Sequence, residues 1–386
     1  MKRRILLGLF GLSYVGLALW AFPGIRQTIR LHVLSWFGAA STGGPTIAED
    51  VFLSQFRPDS QLKTRQTIVS HPFIPTVEFH GHLFTSPTSD PPEDILTRMD
   101  QTQTSVFVNL SLFTSTPHSY QKLVEKQPSK RIFHFVGFNW KRMSEGPDFA
   151  QKMASDLEQI AKMGGRGVKL WKNFGLMQKY EGKLVTLDDP RLDPVWDVCA
   201  KYHLLVAVHT ADPPVFFLPV DEHNERFEEL GRRPEWSFHK PGLPSFDDVM
   251  QQRDRLFTRR KDVTFVALHF GEFAHDLSRA QDLLDRHPNV YVDIAQRIDE
   301  LGRQPRAARE FLIKNQNRIL YGTDGLPDPE KLKIYWRFLE TDDEYFDYFP
   351  AGTNRKGVWK IYGVKLPPDV LRKIYYSNAA RLLRIQ

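Results

Sequence analysis

Two histidines one residue apart, His80 and His82, close a short run, Thr76-Val77-Glu78-Phe79-His80-Gly81-His82. Neutral imidazole is the commonest side-chain metal ligand. In a strand, residues i and i+2 project from one face, so the pair can chelate one ion. Gly81 between them leaves room for a close approach. Two nitrogens do not complete a site, because zinc takes about four ligands. The others must come from distant parts of the chain.

The elements that bring them in follow from the apolar pattern. From Thr76 onward, short runs rich in Val, Ile and Phe alternate with helical patterns. The expected strands are 77–82, 105–110, 132–138, 167–171, 204–209, 264–269, 290–294 and 319–323. Most are apolar on both faces, as buried parallel strands are. Helical patterns lie between them at 92–101, 148–162, 193–202, 246–261, 274–287 and 306–315. This alternation predicts an α/β fold, a (β/α)8 TIM barrel. Insertions are expected at 211–244 and 325–366, and 367–383 closes the chain as a helix.

Barrel chemistry gathers at the C-terminal ends of strands. The first expected strand ends in His80 and His82, the fifth in His209 and the sixth in His269, and the eighth runs into Asp324. Four of 13 histidines therefore fall at strand ends, joined by one aspartate. His80, His82, His209 and Asp324 can close around a divalent ion with one position open to water, the layout of a catalytic site. Such an ion lowers the pKa of bound water and polarises a carbonyl. Asn139, Trp140, Trp171, Lys172, Asn173, Asp212, Glu272, Asp293, Gln296 and Arg297 follow strand ends and are candidates for the mouth. The charged and aromatic run 216–236 reads as a lid.

The His-x-His pair, the lone His209 and His269, and Gly322-Thr323-Asp324 resemble the amidohydrolase superfamily. Gly-Val-Lys-Leu (167–170), His-Thr-Ala-Asp (209–212) and Tyr-Gly-Thr-Asp (321–324) are similar to its amidohydrolase-related branch, from about Phe73 to Leu383. That branch also contains aminocarboxymuconate-semialdehyde decarboxylase and 2-pyrone-dicarboxylate lactonase. The resemblance implies a metal-dependent hydrolase type of TIM barrel holding one Zn2+. It places His80, His82, His209 and Asp324 on the metal. Asp324 and His269 become the catalytic pair, with Asp324 taking the proton of the water. In two-metal members a carboxylated strand-four lysine bridges the ions, with His269 on the second. Lys169 is then either that bridge or an ammonium clamp for a substrate carboxylate. Lys169, His269, Trp171 and Arg297 are accordingly the second-metal or substrate-binding candidates.

Two activities follow. The first is hydrolysis of a C–N or C–O bond (amide, lactone or ester) of a small acidic substrate by metal-activated water. The alternative is metal-dependent decarboxylation of an aromatic or enolic acid. Lys169, Lys172 and Arg297 suit an acidic small molecule in both. A non-catalytic binding module on the same barrel would be expected to lack a ligand position, and none is missing.

The chain has 386 residues, 41% hydrophobic and 25% charged, an ordinary globular balance. Its net charge of +6 is dispersed, which argues against nucleic-acid partners. Cys199 is the only cysteine, so no internal disulfide forms, and its helical pattern makes it a small buried apolar residue. Lys2, Arg3 and Arg4 precede 18 uncharged residues, Ile5–Phe22. This predicts a signal anchor or transmembrane helix over 1–22, with the enzyme membrane-anchored and its catalytic domain periplasmic. Secretion after signal cleavage is the alternative. Residues 23–72 read as juxtamembrane segment and linker, and 73–386 as the barrel domain. The oligomeric state is left open.

Overall fold

The computed structural model describes residues 58–83, 93–111, 115–126, 129–350 and 356–385. The chain divides into two compact units, Met1–Lys63 and Thr64–Gln386. The membrane segment expected over 1–22 lies outside the described residues. Among those described, no helix is long and apolar enough to cross a membrane.

The second unit alternates eight parallel strands with eight helices. The strands are β1 (Thr76–Gly81), β2 (Thr104–Asn109), β3 (Ile132–His134), β4 (Gly167–Leu170), β5 (Leu205–Val208), β6 (Phe265–Ala267), β7 (Val290–Asp293) and β8 (Ile319–Leu320). The helices that follow them are α1 (Ile95–Gln101), α2 (Pro117–Lys126), α3 (Phe149–Lys162), α4 (Asp193–Tyr202), α5 (Phe246–Arg259), α6 (Leu277–Arg286), α7 (Pro305–Lys314) and α8 (Pro329–Glu340). Strands β1-β2-β3 form one parallel run and β4 to β8 another. Single bridges, Val136 to Val168 and Gly81 to Gly325, join the two runs into a closed barrel.

Alternation along the strands explains the layers. Val77, Phe79, Val106, Val108, Phe135, Leu205, Ala207, Val266, Leu268 and Leu320 form one buried cluster with Ala379 and Leu383 of the last helical segment. This cluster fills the barrel. The intervening residues, such as Val206, Val208, Phe265, Val290 and Val292, pack with the helices instead. Lys169 pairs in register with Ala207, so it belongs to the interior layer. Two residues on, Trp171 and His209 lie at the top of the same row.

The structure departs from the expected boundaries in instructive places. Strand 132–138 shortens to β3, with Val136 making only an isolated bridge. Strand 264–269 stops at Ala267, and the chain turns at once. The run 325–366 is not simply an insertion, because it contains α8. Asp328 caps that helix through Glu330 N and Lys331 N, with Pro329 at its first position. Helix α2 was not expected; its apolar stripe is only Tyr120 and Leu123. Ahead of β1, Thr67 is tied to Asp343 by its N–H and its hydroxyl, both at 2.7 Å.

Candidate metal centre

The end of β1 is irregular. Its register against β2 shifts between Glu78 and Gly81, and such a bulge re-aims side chains. His80 becomes fully buried, while His82 stays 24% exposed at the rim. Their Nε2 atoms nevertheless converge on one atom, Asp324 Oδ1, at 3.3 Å from His80 and 2.9 Å from His82. Asp324 is carried there by its backbone: its N–H donates to His80 O at 2.8 Å. Below it, the carboxylate of Glu78 accepts from the N–H groups of His80 and Thr323 and from the Thr323 hydroxyl.

Asp293, fully buried at the end of β7, organises the centre from behind. Its Oδ2 takes His80 Nδ1 at 2.7 Å, and its Oδ1 accepts from His269 N at 2.7 Å and Ala295 N at 3.2 Å. A carboxylate on Nδ1 sets the tautomer that leaves the Nε2 lone pair facing the site. The Nδ1 of His269 lies 2.9 Å from Ala295 O. A carbonyl only accepts, so His269 likewise presents a bare Nε2.

After β6 the backbone makes an unusual turn. His269, Phe270, Gly271 and Glu272 all have left-handed φ, between 54° and 63°. Arg253 on α5, fully buried, donates to Gly271 O at 2.6 Å and so holds the turn. The turn places Glu272 and His269 against His209. The His209 and His269 rings meet edge-on with centroids 4.3 Å apart, and His80 lies 4.7 Å from His269. Glu272 Oε2 takes Arg297 at 2.5 Å, while Oε1 faces His209 Nε2 at 3.8 Å. Among the described residues, neither ring nitrogen of His209, nor Glu272 Oε1, has a hydrogen-bond partner.

Electrostatics favour metal binding at neutral pH. Burial, then the nearby Lys169, lowers the pKa of His80. Burial, with neighbouring positive groups, lowers His209 and His269 further. Burial opposes ionisation of Asp324, but His80 and the bond from His82 outweigh it and hold the carboxyl well below the usual range. Neutral imidazoles beside an ionised carboxylate are the donors a divalent cation takes. Burial also lowers Lys169 to about 8 and raises Glu272 to about 8.

A cavity of about 330 Å³ opens on this cluster, lined by His209, His269, Asp324, Trp171 and Lys172, with Phe216, Arg226 and Trp236 from the expected lid. Trp171 meets the His209 ring edge-on at 5.0 Å. Lys172 is paired with Asp212. The 216–236 segment is anchored by Arg226, which is buried and bonded to Asp299 at 2.9 Å and to Glu300 at 2.6 Å.

Of the four expected ligands, His80, His82 and Asp324 form one tight group, and His209 groups instead with His269 and Glu272. A third group, His80, His269 and Asp293, links the two. Lys169 is inside the barrel, with Nζ 3.5 Å from His80 Nε2. Arg297 reaches the cavity but is committed to Glu272. Sequence reasoning treated Asp293 as a mouth residue and missed that it orients His80. Its place at the end of β7 was the available signal. Arg253 carried no signal, since it sits in a helix far from the strand ends in sequence.

Residues 72–385 match the family model described as amidohydrolase, so the chain belongs to the amidohydrolase family, in its amidohydrolase-related branch. It is a metal-dependent barrel enzyme of that family. Solved structures share the fold, two of them decarboxylases. A 2,6-dihydroxybenzoate decarboxylase complexed with 2,6-dihydroxybenzoate is 15% identical, with 81% of this chain and 99% of that one covered and a TM-score of 0.51. A dihydroxybenzoic acid decarboxylase from Polaromonas sp. JS666, with bound manganese and the inhibitor 2-nitroresorcinol, is 14% identical, with 81% and 98% covered and a TM-score of 0.51. No curated protein matches the sequence.

Proposed function

We propose that this protein is a metal-dependent decarboxylase of a small aromatic acid. The observation that carries the reading is the cavity: about 330 Å³, walled by Trp171, Phe216 and Trp236, and open to Asp324, His209 and His269. That volume suits a single ring. The aromatic walls bind the ring face, and Lys169, Lys172 and Arg297 make the surroundings attractive to a carboxylate. The 2,6-dihydroxybenzoate bound by one similar structure, and the dihydroxybenzoic acid decarboxylase activity named for the other, support the same class.

In the reaction the bond between ring carbon and carboxylate breaks, its electron pair stays on the ring, CO2 leaves, and the ring carbon takes a proton. His80, His82 and Asp324 would hold the ion, with His209 as the fourth expected ligand. A divalent ion there supplies Lewis-acid polarisation of the acid's oxygens. Asp293 keeps His80 in its ligating tautomer. His269 Nε2, which borders the cavity, would carry the proton, with Glu272 beside it, and the 216–236 segment would exclude water while it moves. We propose a single Zn2+ as that ion, with manganese, which the Polaromonas enzyme binds, as the competing identity. Metal analysis of the purified protein decides between them.

Hydrolysis is the second reading, favoured by one observation. Asp324 is ionised and 29% exposed, where a base for water would have to stand. The test is a screen of the metal-loaded protein on hydroxybenzoates, lactones and amides. CO2 release from a hydroxybenzoate is the expected result. Turnover of a lactone or amide without CO2 overturns it. We also propose a membrane anchor over 1–22, from three basic residues before the uncharged run. Protease added to spheroplasts tests it, and a protected, full-length soluble protein would refute it.

A further inference from the structure

The cavity beside the metal donors takes its outer walls from two separate parts of the chain. Arg226, Glu229 and Trp236 come from the 216–236 segment, and Lys356 comes from the run that follows α8. That run folds back on itself, with Phe346 and Ile361 exchanging backbone bonds at 3.0 Å and 2.9 Å.

Both walls fasten to one side chain. Asp299 is 1% exposed and lies in the short helical turn Ile298–Leu301. Its Oδ2 accepts from Arg226 Nη2 at 2.9 Å, and its Oδ1 accepts from Lys356 Nζ at 3.1 Å. Each oxygen of the carboxylate thus holds a different wall. Glu300 adds a bond to Arg226 at 2.6 Å, but among the described residues Asp299 alone bonds both cations. Burial opposes ionisation of Asp299, but Lys356 and Arg226 outweigh it and hold the carboxyl below its usual range. The walls also meet directly, since the Arg226 guanidinium lies over the Trp359 ring at 5.4 Å. Asp299 itself is not among the residues that face this cavity.

Withdrawing either cation leaves buried negative charge uncompensated, which is costly. Water that enters to solvate that charge also weakens the remaining pair, because it raises the local dielectric. Loss of one contact therefore loosens the other. We propose that Asp299 is a positioning residue that couples the two walls, so that they close over a bound acid, and open, as one unit. This inference rests on the decarboxylase reading for what the walls close over; the coupling does not depend on the reaction.

The test reads hydrogen exchange and binding on the manganese-loaded full chain. Lys356→Met should speed exchange at least about tenfold in 221–236 as well as around residue 356, and Arg226→Met should loosen both walls likewise. Lys356→Arg keeps the charge and should leave 221–236 near wild type. Asp299→Asn should loosen both walls and weaken binding of 2,6-dihydroxybenzoate about tenfold at unchanged metal content, since an unfastened wall must be ordered when the acid binds. Variants that loosen only their own wall overturn the coupling. An Asp299→Asn protein that loosens both walls yet keeps the wild-type affinity overturns the positioning role. If Asp299→Asn does not fold, the two Lys356 variants decide the coupling, and the affinity of Lys356→Met decides the positioning. Coupled walls with no CO2 released from any acid leave the coupling standing and sink only the reaction. CO2 release with walls that loosen independently does the reverse.

Discussion

On the β1/β8 side of the site every donor rests on protein. His80 is bonded to Asp293, His82 to Asp324, and Asp324 to the backbone of β1. On the β5/β6 side the same kinds of atom have no hydrogen-bond partner among the described residues: both nitrogens of His209 and one oxygen of Glu272. The first half is preorganised, so little entropy is lost when an ion binds. The second half carries an unmet hydrogen-bonding demand, which in a buried site costs about 1–3 kcal/mol per group. A ligand entering the cavity satisfies it. We propose from the contrast that the first half does most to retain an ion and that His269 and Glu272 in the second handle substrate.

Mutations can break that division. His80→Ala removes both a donor and the contact to the other half. Metal should be lost and kcat/KM should fall by more than about a thousandfold. Metal content and turnover check it together, and full activity in a metal-free variant would end the metal reading. His269→Ala should keep most of its metal while kcat falls about 10²- to 10⁴-fold, as for a lost proton carrier. If metal content instead halves from two ions to one, the halves are two metal sites and Lys169 becomes a bridging ligand. Asp293→Asn spares every donor but loosens the His80 tautomer. Metal affinity should weaken about 10- to 100-fold, measured by chelator competition. An unchanged affinity would show that Asp293 serves only the backbone of the β6 turn. The smallest effect is expected from Trp236→Ala on the lid, with KM for an aromatic acid rising about two- to tenfold at unchanged metal content. No change in KM would remove that wall from the substrate site.

Strand order and the identity of the donors were legible because both are periodic. Apolar runs recur with helical stretches between them, and a barrel needs no more than that to put His80, His209, His269 and Asp324 at one end. Helix α5 was legible too, since Ser245 and Asp248 form a reciprocal capping box at its start. Helix α8 carried an Asp-Pro start of the same local kind, but its place after the eighth strand made it read as an insertion. The expected four-ligand set divides in space. His80, His82 and Asp324 come together, whereas His209 turns to the His269 and Glu272 group.

The sequence by itself determined which residues could do chemistry, and on which strand each would end, because these depend on local alternation and residue type. The tertiary structure alone decided how they divide into two groups. That division depends on a bulge at the end of β1, on a left-handed turn after β6 and on Asp293 reaching across to His80. The turn puts three non-glycine residues at positive φ, a strain of about 1 kcal/mol or more each that no local preference would choose. It persists because a buried arginine from α5 bonds its carbonyl, and a contact between residues far apart in sequence leaves no trace in the periodicity of either.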